Sequence, residues 1–103
     1  MAMQLYAIRR RNASSNPNEM EQVAKRSSAV GEEMTDRVRW IRSYVVKEEN
    51  GGLGTICIYE GTDEEAIREH ASRAGMPADE INPVVDTLVI RDDPKSVGET
   101  ASE

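Results

Sequence analysis

Residues 54–77, GTICIYEGTDEEAIREHASRAGMP, contain a predicted strand that leads directly into a predicted helix. β-Branched and aromatic residues are frequent in the first seven positions, GTICIYE, which is typical of a strand over 54–60. Thr62 is the predicted N-cap of the helix, and Glu65 completes a capping box with it. Gly75 suits the left-handed position that ends a helix, and the proline two residues later prevents the helix from continuing.

Working outward from this unit, the sequence predicts three more strands and one more helix. In chain order the predicted elements are a strand over 3–9, a helix from Asn16 to about Met34, strands over 37–46 and 54–60, a helix from Thr62 to Gly75, and a strand over 83–90. The order β-α-β-β-α-β is that of the ferredoxin-like plait, an α+β fold with an antiparallel sheet and two helices on one face. We expect one such domain over residues 1–91 and a disordered tail over 92–103, which lacks large apolar residues.

The strand predicted over 37–46, RVRWIRSYVV, has bulky residues on both faces. A strict period of two would place Val38, Trp40, Arg42, Tyr44 and Val46 on one face and Arg39, Ile41, Ser43 and Val45 on the other. Two partly apolar faces favour a sheet that is covered by helices on one side and by a partner subunit on the other. Because a chain of 103 residues can bury only a modest core alone, we expect a homodimer arranged as a dimeric α+β barrel.

Charge and composition exclude several classes of protein. A formal net charge of −6 argues against a general nucleic-acid binder. The short basic run Arg9–Arg11 is interpreted as a solvated strand end in preference to an anion site. The sequence contains no apolar run long enough for a transmembrane helix, its first residues do not follow the order of a signal peptide, and Cys57 is its single cysteine. We therefore expect a soluble cytoplasmic protein without a membrane or nucleic-acid partner.

The single histidine, His70, lies on the inward face predicted for the second helix. Ile67, His70, Ala71 and Ala74 recur at helical spacing and form one stripe. The inward residues of both helices are mostly small, so the space between the helices and the sheet has room for a pocket. His70 is thus either a ligand contact or a hydrogen-bonded core histidine.

Three residues of the central strand are candidate partners for His70 in that pocket. If Trp40, Arg42 and Tyr44 face the helices, the four side chains would converge on a cavity suited to a small aromatic or anionic molecule. In the other interpretation Arg42 and Tyr44 mark the rim of the sheet. The leading hypothesis is a homodimer that binds a small ligand in this pocket. The alternative is a cofactor-independent enzyme, such as an isomerase, cyclase or monooxygenase, with His70 as its general acid or base. No cofactor can be named, and no metal-ligand spacing is present.

The segments WIRSYVV and ICIYEGTDEEAIREHASRAGMPADEI resemble the small ferredoxin-like proteins of the domain-of-unknown-function 4242 family. The matching positions lie between residues 40 and 81 and are Trp40, Ser43, Tyr44, Cys57, Tyr59, Glu65, Ala66, Ile67, Ala71, Gly75, Pro77 and Ile81. The resemblance implies a dimeric ferredoxin-like fold, and because some members are described as nickel-binding, it also implies nickel binding as a second alternative function. Arg42 stands where the family pattern has a histidine. Since a guanidinium is a poor metal ligand, Arg42 instead suits a carboxylate or phosphate group on an organic ligand.

Overall fold

The computed structural model describes residues 3–94, and its elements follow the predicted order. They are β1 (Gln4–Ser14), α1 (Pro17–Glu33), β2 (Val38–Lys47), β3 (Leu53–Gly61), α2 (Glu64–Ala74) and β4 (Glu80–Pro83). The four strands form one sheet in the order β2-β3-β1-β4, and each neighbouring pair is antiparallel. The predicted ferredoxin-like α+β fold is confirmed. Residues 95–103 of the predicted tail lie outside the described residues.

Local capping interactions set the ends of both helices. The Asn16 side chain caps α1 by accepting a hydrogen bond from the Glu19 backbone N–H at 2.9 Å. The N-cap of α2 is Asp63, and the prediction of Thr62 is wrong. The Thr62 N–H instead donates to the Arg37 carbonyl at 2.9 Å, so this residue lies in the short connection between β3 and the N-cap. Gly75 ends α2 with a φ of 68°, as its predicted left-handed role requires.

A β-bulge in β2 reverses the alternation of its side chains. Trp40 pairs with Tyr59 of β3, yet Arg42 pairs with the very next residue, Ile58. Because the bulge inserts one extra residue into β2, Trp40 lies on the helix-facing side of the sheet, whereas Arg42 and Tyr44 lie on the opposite side, here called the outer face. The predicted grouping of these three side chains on one face is wrong.

The first strand is longer than predicted and runs to Ser14 instead of ending at residue 9. The polar second half of β1 stays in the sheet because carboxylates from other parts of the chain accept hydrogen bonds from its backbone and side-chain donors. Glu48 accepts hydrogen bonds from Arg9 Nη2 at 2.7 Å and from the Asn12 backbone N–H at 2.8 Å. The Arg11 backbone N–H donates to a carboxylate oxygen of Asp79 at 2.6 Å.

The last strand is shorter than predicted and lies earlier in the chain. β4 pairs with β1 from Arg9 back to Tyr6, and the Val84 N–H adds a final bond to the Leu5 carbonyl at 2.8 Å. In this antiparallel register Val84 already lies beside the start of β1. The later residues of the predicted strand over 83–90 therefore have no residues of β1 with which to pair. Residues 85–93 instead lead across the outer face toward β2, where Asp93 contacts Arg42 and Tyr44.

The core lies between the helix-facing side of the sheet and the two helices. Its buried apolar residues are Tyr6, Ile8, Val30, Met34, Val38, Cys57, Tyr59, Ala66, Ile67, Ala71 and Ala74. α2 contributes four of them, while α1 buries only Ser27 and Val30 along its 17 residues. α1 is therefore the loosely packed helix. Within residues 3–94, neither helix is long and apolar enough to cross a membrane.

Candidate functional site

A cavity of about 80 Å³ lies between α1 and the helix-facing side of the sheet. Its walls are formed by Arg10, Ala13, Met20, Val23, Ala24, Ser27, Trp40, Ser43, Val45, Thr55, Cys57, Tyr59 and Met76. The cavity exists because α1 turns small side chains such as Ala24 toward the sheet, so the two layers do not fill the space between them. It meets the protein surface along β2, where Val45 is 55% exposed.

Trp40 forms the aromatic wall of this cavity. Its ring stacks on Tyr59 with a centroid separation of 5.9 Å and an interplanar angle of 3°. The indole N–H donates to Ser43 Oγ at 2.8 Å, which fixes the orientation of the ring. Because Trp40 remains 39% exposed, it offers a flat apolar surface that a ligand can reach from solvent.

Arg10 contributes a buried positive charge to the same wall. The residue is 1% exposed, and its Nη1 donates to the Pro77 carbonyl at 2.7 Å. Its Nε and Nη2 have no hydrogen-bond partner among the described residues. The guanidinium carbon lies 5.8 Å from the centroid of the Tyr59 ring, a contact in the range of a cation–π interaction. Leaving a buried donor unpaired costs about 1–3 kcal/mol, and more for a charged group.

The burial of Arg10 corrects the prediction that the run Arg9–Arg11 is a solvated strand end. Arg9 and Arg11 point to the other side of β1 and pair with Glu48 at 2.7 Å and Glu80 at 2.6 Å. The alternation of Tyr6, Ile8 and Arg10 on one face of β1 is the sequence signal that could have located it. This signal is easily missed because arginine side chains are usually exposed, so an arginine is rarely assigned to the core.

His70 lies between the two helices and is not part of the cavity wall. Its Nε2 is 3.0 Å from the Ser27 carbonyl, and because a carbonyl only accepts, this nitrogen carries the proton. The ring also contacts Tyr59 at a centroid distance of 5.1 Å and a tilt of 58°. Burial lowers the pKa of the His70 imidazole below its usual 6.5. His70 thus acts as a neutral donor that joins α2 to α1.

A second polar bond fixes Tyr59 beneath α1. The Tyr59 hydroxyl and Ser27 Oγ are 2.8 Å apart and both buried. Burial raises the pKa of the Tyr59 phenol, so the group stays protonated at neutral pH. Ser27 therefore serves two partners at once: its side chain bonds Tyr59, and its backbone carbonyl bonds His70. These contacts hold the floor of the cavity in place.

Arg42 and Tyr44 meet on the outer face and not at the cavity. Arg42 Nη1 donates to Asp93 Oδ2 at 2.7 Å, and the Tyr44 hydroxyl donates to the same oxygen at 2.6 Å. The hydrogen bond from Tyr44, followed by that from Arg42, lowers the pKa of Asp93. Of the four predicted site residues, the structure therefore brings Trp40 to the cavity, buries His70 beside it, and places Arg42 and Tyr44 elsewhere.

An open cleft of about 540 Å³ separates the outer face from the segment that crosses it. The cleft is lined by Leu5, Arg42, Tyr44, Ile58, Val84, Thr87, Leu88, Val89, Arg91, Asp92 and Asp93. The crossing segment keeps its apolar side chains in solvent, with Val85 96% exposed and Leu88 86% exposed. The outer face is thus covered only loosely within one chain.

The four-stranded sheet, its two helices and the cavity beneath α1 define a small ferredoxin-like α+β protein. The chain belongs to the SCO4226-like family of nickel-responsive proteins, whose sequence model matches residues 6–84. This family is consistent with the predicted resemblance to the domain-of-unknown-function 4242 proteins, which stays a prediction.

Two solved structures are similar to this fold. The crystal structure of SCO4226 from Streptomyces coelicolor A3(2) matches 82% of this chain and 99% of its own, with 22% identity and a TM-score of 0.65. SnoaB, a cofactor-independent oxygenase from Streptomyces nogalater, matches 89% of this chain and 100% of its own, with 17% identity and a TM-score of 0.49. No curated protein matches the chain.

The donor groups of one described chain do not fit a nickel site. Among residues 3–94, no three His, Cys, Asp or Glu side chains lie close enough together to hold a metal ion. The His70 Nε2 is engaged with the Ser27 carbonyl. The Cys57 thiol is buried and donates to Thr55 Oγ1 at 3.2 Å. Since nickel favours imidazole nitrogen with oxygen or sulfur donors arranged around it, these residues supply no such arrangement.

Proposed function

We propose that this protein binds a small organic ligand in the cavity between α1 and the sheet. The observation that carries the proposal is the 80 Å³ cavity bounded by the stacked Trp40–Tyr59 pair. Concave, mostly apolar sites with a few polar groups are the usual form of small-molecule pockets. Trp40 and Arg10 replace the predicted set of Trp40, Arg42, Tyr44 and His70 as the residues that would contact the ligand.

Two features support a binding role over a catalytic one. His70, the general acid or base of the enzyme hypothesis, is 1% exposed and engaged with a backbone carbonyl. Among the described residues, the cavity wall itself contains no imidazole or carboxylate, the groups that most often carry out proton transfer. The described residues of a single chain also offer no cluster of side chains that would hold nickel.

We also propose that the protein acts as a homodimer that pairs through the outer face. This face carries Tyr44 and Ile56, which are 41% and 37% exposed, beside the exposed apolar side chains of residues 85–90. A contiguous apolar surface of this kind is typical of a protein interface. Light scattering after gel filtration measures the mass directly. Twice the chain mass of 11.5 kDa is expected, and a monomer at all concentrations contradicts the dimer.

The binding proposal is tested with the fluorescence of Trp40, the single tryptophan of the chain. A panel of small aromatic and aliphatic acids, amides and alcohols is titrated into the protein, and the Trp40 emission and the melting temperature are recorded. A ligand in the cavity is expected to change the emission saturably and to raise the melting temperature by mass action. If no compound of the panel alters either quantity, the proposed function is wrong.

A further inference from the structure

The polar side chains of the cavity wall are bonded to one another. Among the described residues, all of them except Arg10 form hydrogen-bonded pairs inside the wall. The pairs are Ser27 with Tyr59 at 2.8 Å, Trp40 with Ser43 at 2.8 Å, and Thr55 with Cys57 at 3.2 Å. A polar ligand would therefore have to compete with a partner that each of these groups already has.

Arg10 is the exception, and its free donors are sealed off from the cavity. Its Nη1 donates to the Pro77 carbonyl at 2.7 Å. The other two nitrogens, Nε and Nη2, have almost no accessible surface and no partner among the described residues. The Tyr59 ring lies 5.8 Å from the guanidinium carbon, within the range of a cation–π contact. A ligand in the cavity cannot reach the unpaired nitrogens, so Arg10 offers it no hydrogen bond from them.

The rest of the wall is apolar, and much of it is polarisable. Met20, Val23 and Ala24 of α1 form one side, with Met76 beside them, and the Trp40 ring forms another. Thioether and aromatic groups contact apolar molecules favourably through dispersion. The surface that the cavity presents is nearly all apolar, and an apolar cavity of this kind binds apolar molecules more readily than water.

We infer that the ligand of the cavity is an uncharged, apolar molecule. This inference rests on the proposed function and names the class of ligand. A charged or strongly polar molecule would lose its hydration on entry and find no free partner in the wall, whereas an apolar molecule gains by leaving water. The volume of about 80 Å³ is roughly half that of the 150 Å³ cavity that accommodates benzene. The buried part of the ligand is therefore limited to a few carbon atoms.

The test compares isobutene, acetamide and acetate, which share the same planar, branched skeleton and differ in polarity and charge. Each is titrated into the full chain in a sealed tube at constant pH and ionic strength. The NMR signal of the Trp40 indole N–H, the only one of its kind in the chain, reports binding. Isobutene is expected to shift this signal saturably and to bind at least about tenfold more tightly than acetamide or acetate. Acetamide or acetate binding as tightly as isobutene would overturn the inference.

Ser43→Ala tests whether the paired polar groups select the ligand. The substitution removes the acceptor of the Trp40 N–H, which can then donate to an oxygen of a polar probe. Acetamide and acetate are expected to bind at least about threefold more tightly than they bind the wild type, and isobutene within about twofold of its wild-type affinity. Ser72→Ala makes the same change on the exposed side of α2 and is expected to leave all affinities unchanged. Equal preferences in the wild type and Ser43→Ala would count against the inference.

Ala24→Leu locates the probe, since the larger side chain fills the cavity. It is expected to abolish the shift with isobutene, and a shift that persists would place isobutene at another site and overturn the inference.

The remaining outcomes separate this inference from the proposed function when isobutene is added to the panel of compounds. If acids or amides bind in the cavity and isobutene does not, the cavity is a ligand site and only the inference is wrong. If neither isobutene nor any other compound binds, both are wrong.

Discussion

The His70 imidazole donates a hydrogen bond through Nε2 to the backbone carbonyl of Ser27 at 3.0 Å, and this bond joins α2 to α1. The bond itself does not distinguish the two protonation states, because a protonated imidazole would also donate through Nε2. Burial disfavours the charged ring and lowers the pKa of His70, which outweighs the opposite effect of the bond to the Ser27 carbonyl.

The first prediction is that stability falls as the pH drops below about 6.5. The pKa of His70 is lowered in the folded state, so the unfolded chain takes up a proton in this range while the folded chain does not. The stabilisation is complete above the unfolded pKa and is lost as the pH falls toward the folded pKa, at up to about 1.4 kcal/mol per pH unit. Urea unfolding between about pH 5 and 7.5 measures the slope.

His70→Gln is the control for this slope. Glutamine can donate to the Ser27 carbonyl but does not titrate, so the variant is expected to show a flatter profile over the same range. The carboxylates whose pKa is lowered, such as Glu48 and Asp93, affect the pH dependence of stability only at lower pH. An unchanged slope in His70→Gln would show that His70 is not the titrating group.

The strand–helix unit from Leu53 to Gly75 could be predicted from the sequence because local interactions determine it. Gly75 adopts the left-handed conformation with its N–H bonded to a carbonyl of the last turn of α2, and the N-cap is within one residue of the predicted one. The sheet register could not be predicted in the same way. The bulge after Trp40 is a property of how β2 pairs with β3, and no residue of β2 alone specifies it.

The candidate site was predictable in its position but only partly in its residues. The small inward side chains of α1, such as Ala24, predict the space between helix and sheet in which the cavity lies. Trp40 lines it as predicted, but the bulge removes Arg42 and Tyr44. Arg10 was missed because its burial depends on the Pro77 carbonyl, which is 67 residues away in the sequence.

The second prediction concerns the bond between Ser27 and Tyr59. Ser27→Ala removes the partner of the buried Tyr59 hydroxyl and is expected to lower the free energy of unfolding by about 1–3 kcal/mol, since the hydroxyl is left unpaired. Ser28→Ala changes the next, exposed residue of α1 and is expected to alter stability by less than about 0.5 kcal/mol. Equal effects of the two substitutions would contradict the role of the Ser27 hydroxyl.

The third prediction concerns the proposed homodimer. Ile56→Lys places a charge in the centre of the outer face, where a partner subunit would have to bury it. Gel filtration with light scattering is expected to give a monomer for this variant under conditions in which the wild-type chain is a dimer. Ala29→Lys, on the exposed side of α1, is the control and is expected to remain dimeric. A dimeric Ile56→Lys would place the interface elsewhere.

The last prediction is that filling the cavity abolishes ligand binding without unfolding the protein. Ala24→Leu adds three carbon atoms to the α1 wall of a space of about 80 Å³, which can take them with little overpacking. The variant is expected to melt within a few degrees of the wild type or above it, because the added side chain gains contacts in place of empty space. Ligands that change Trp40 emission in the wild type should no longer do so.

Ala29→Leu makes the same change on the exposed side of the same helix and should leave binding intact. Retained binding in Ala24→Leu would mean that the ligand occupies another site, and the outer cleft beside Arg42 would be the next to examine.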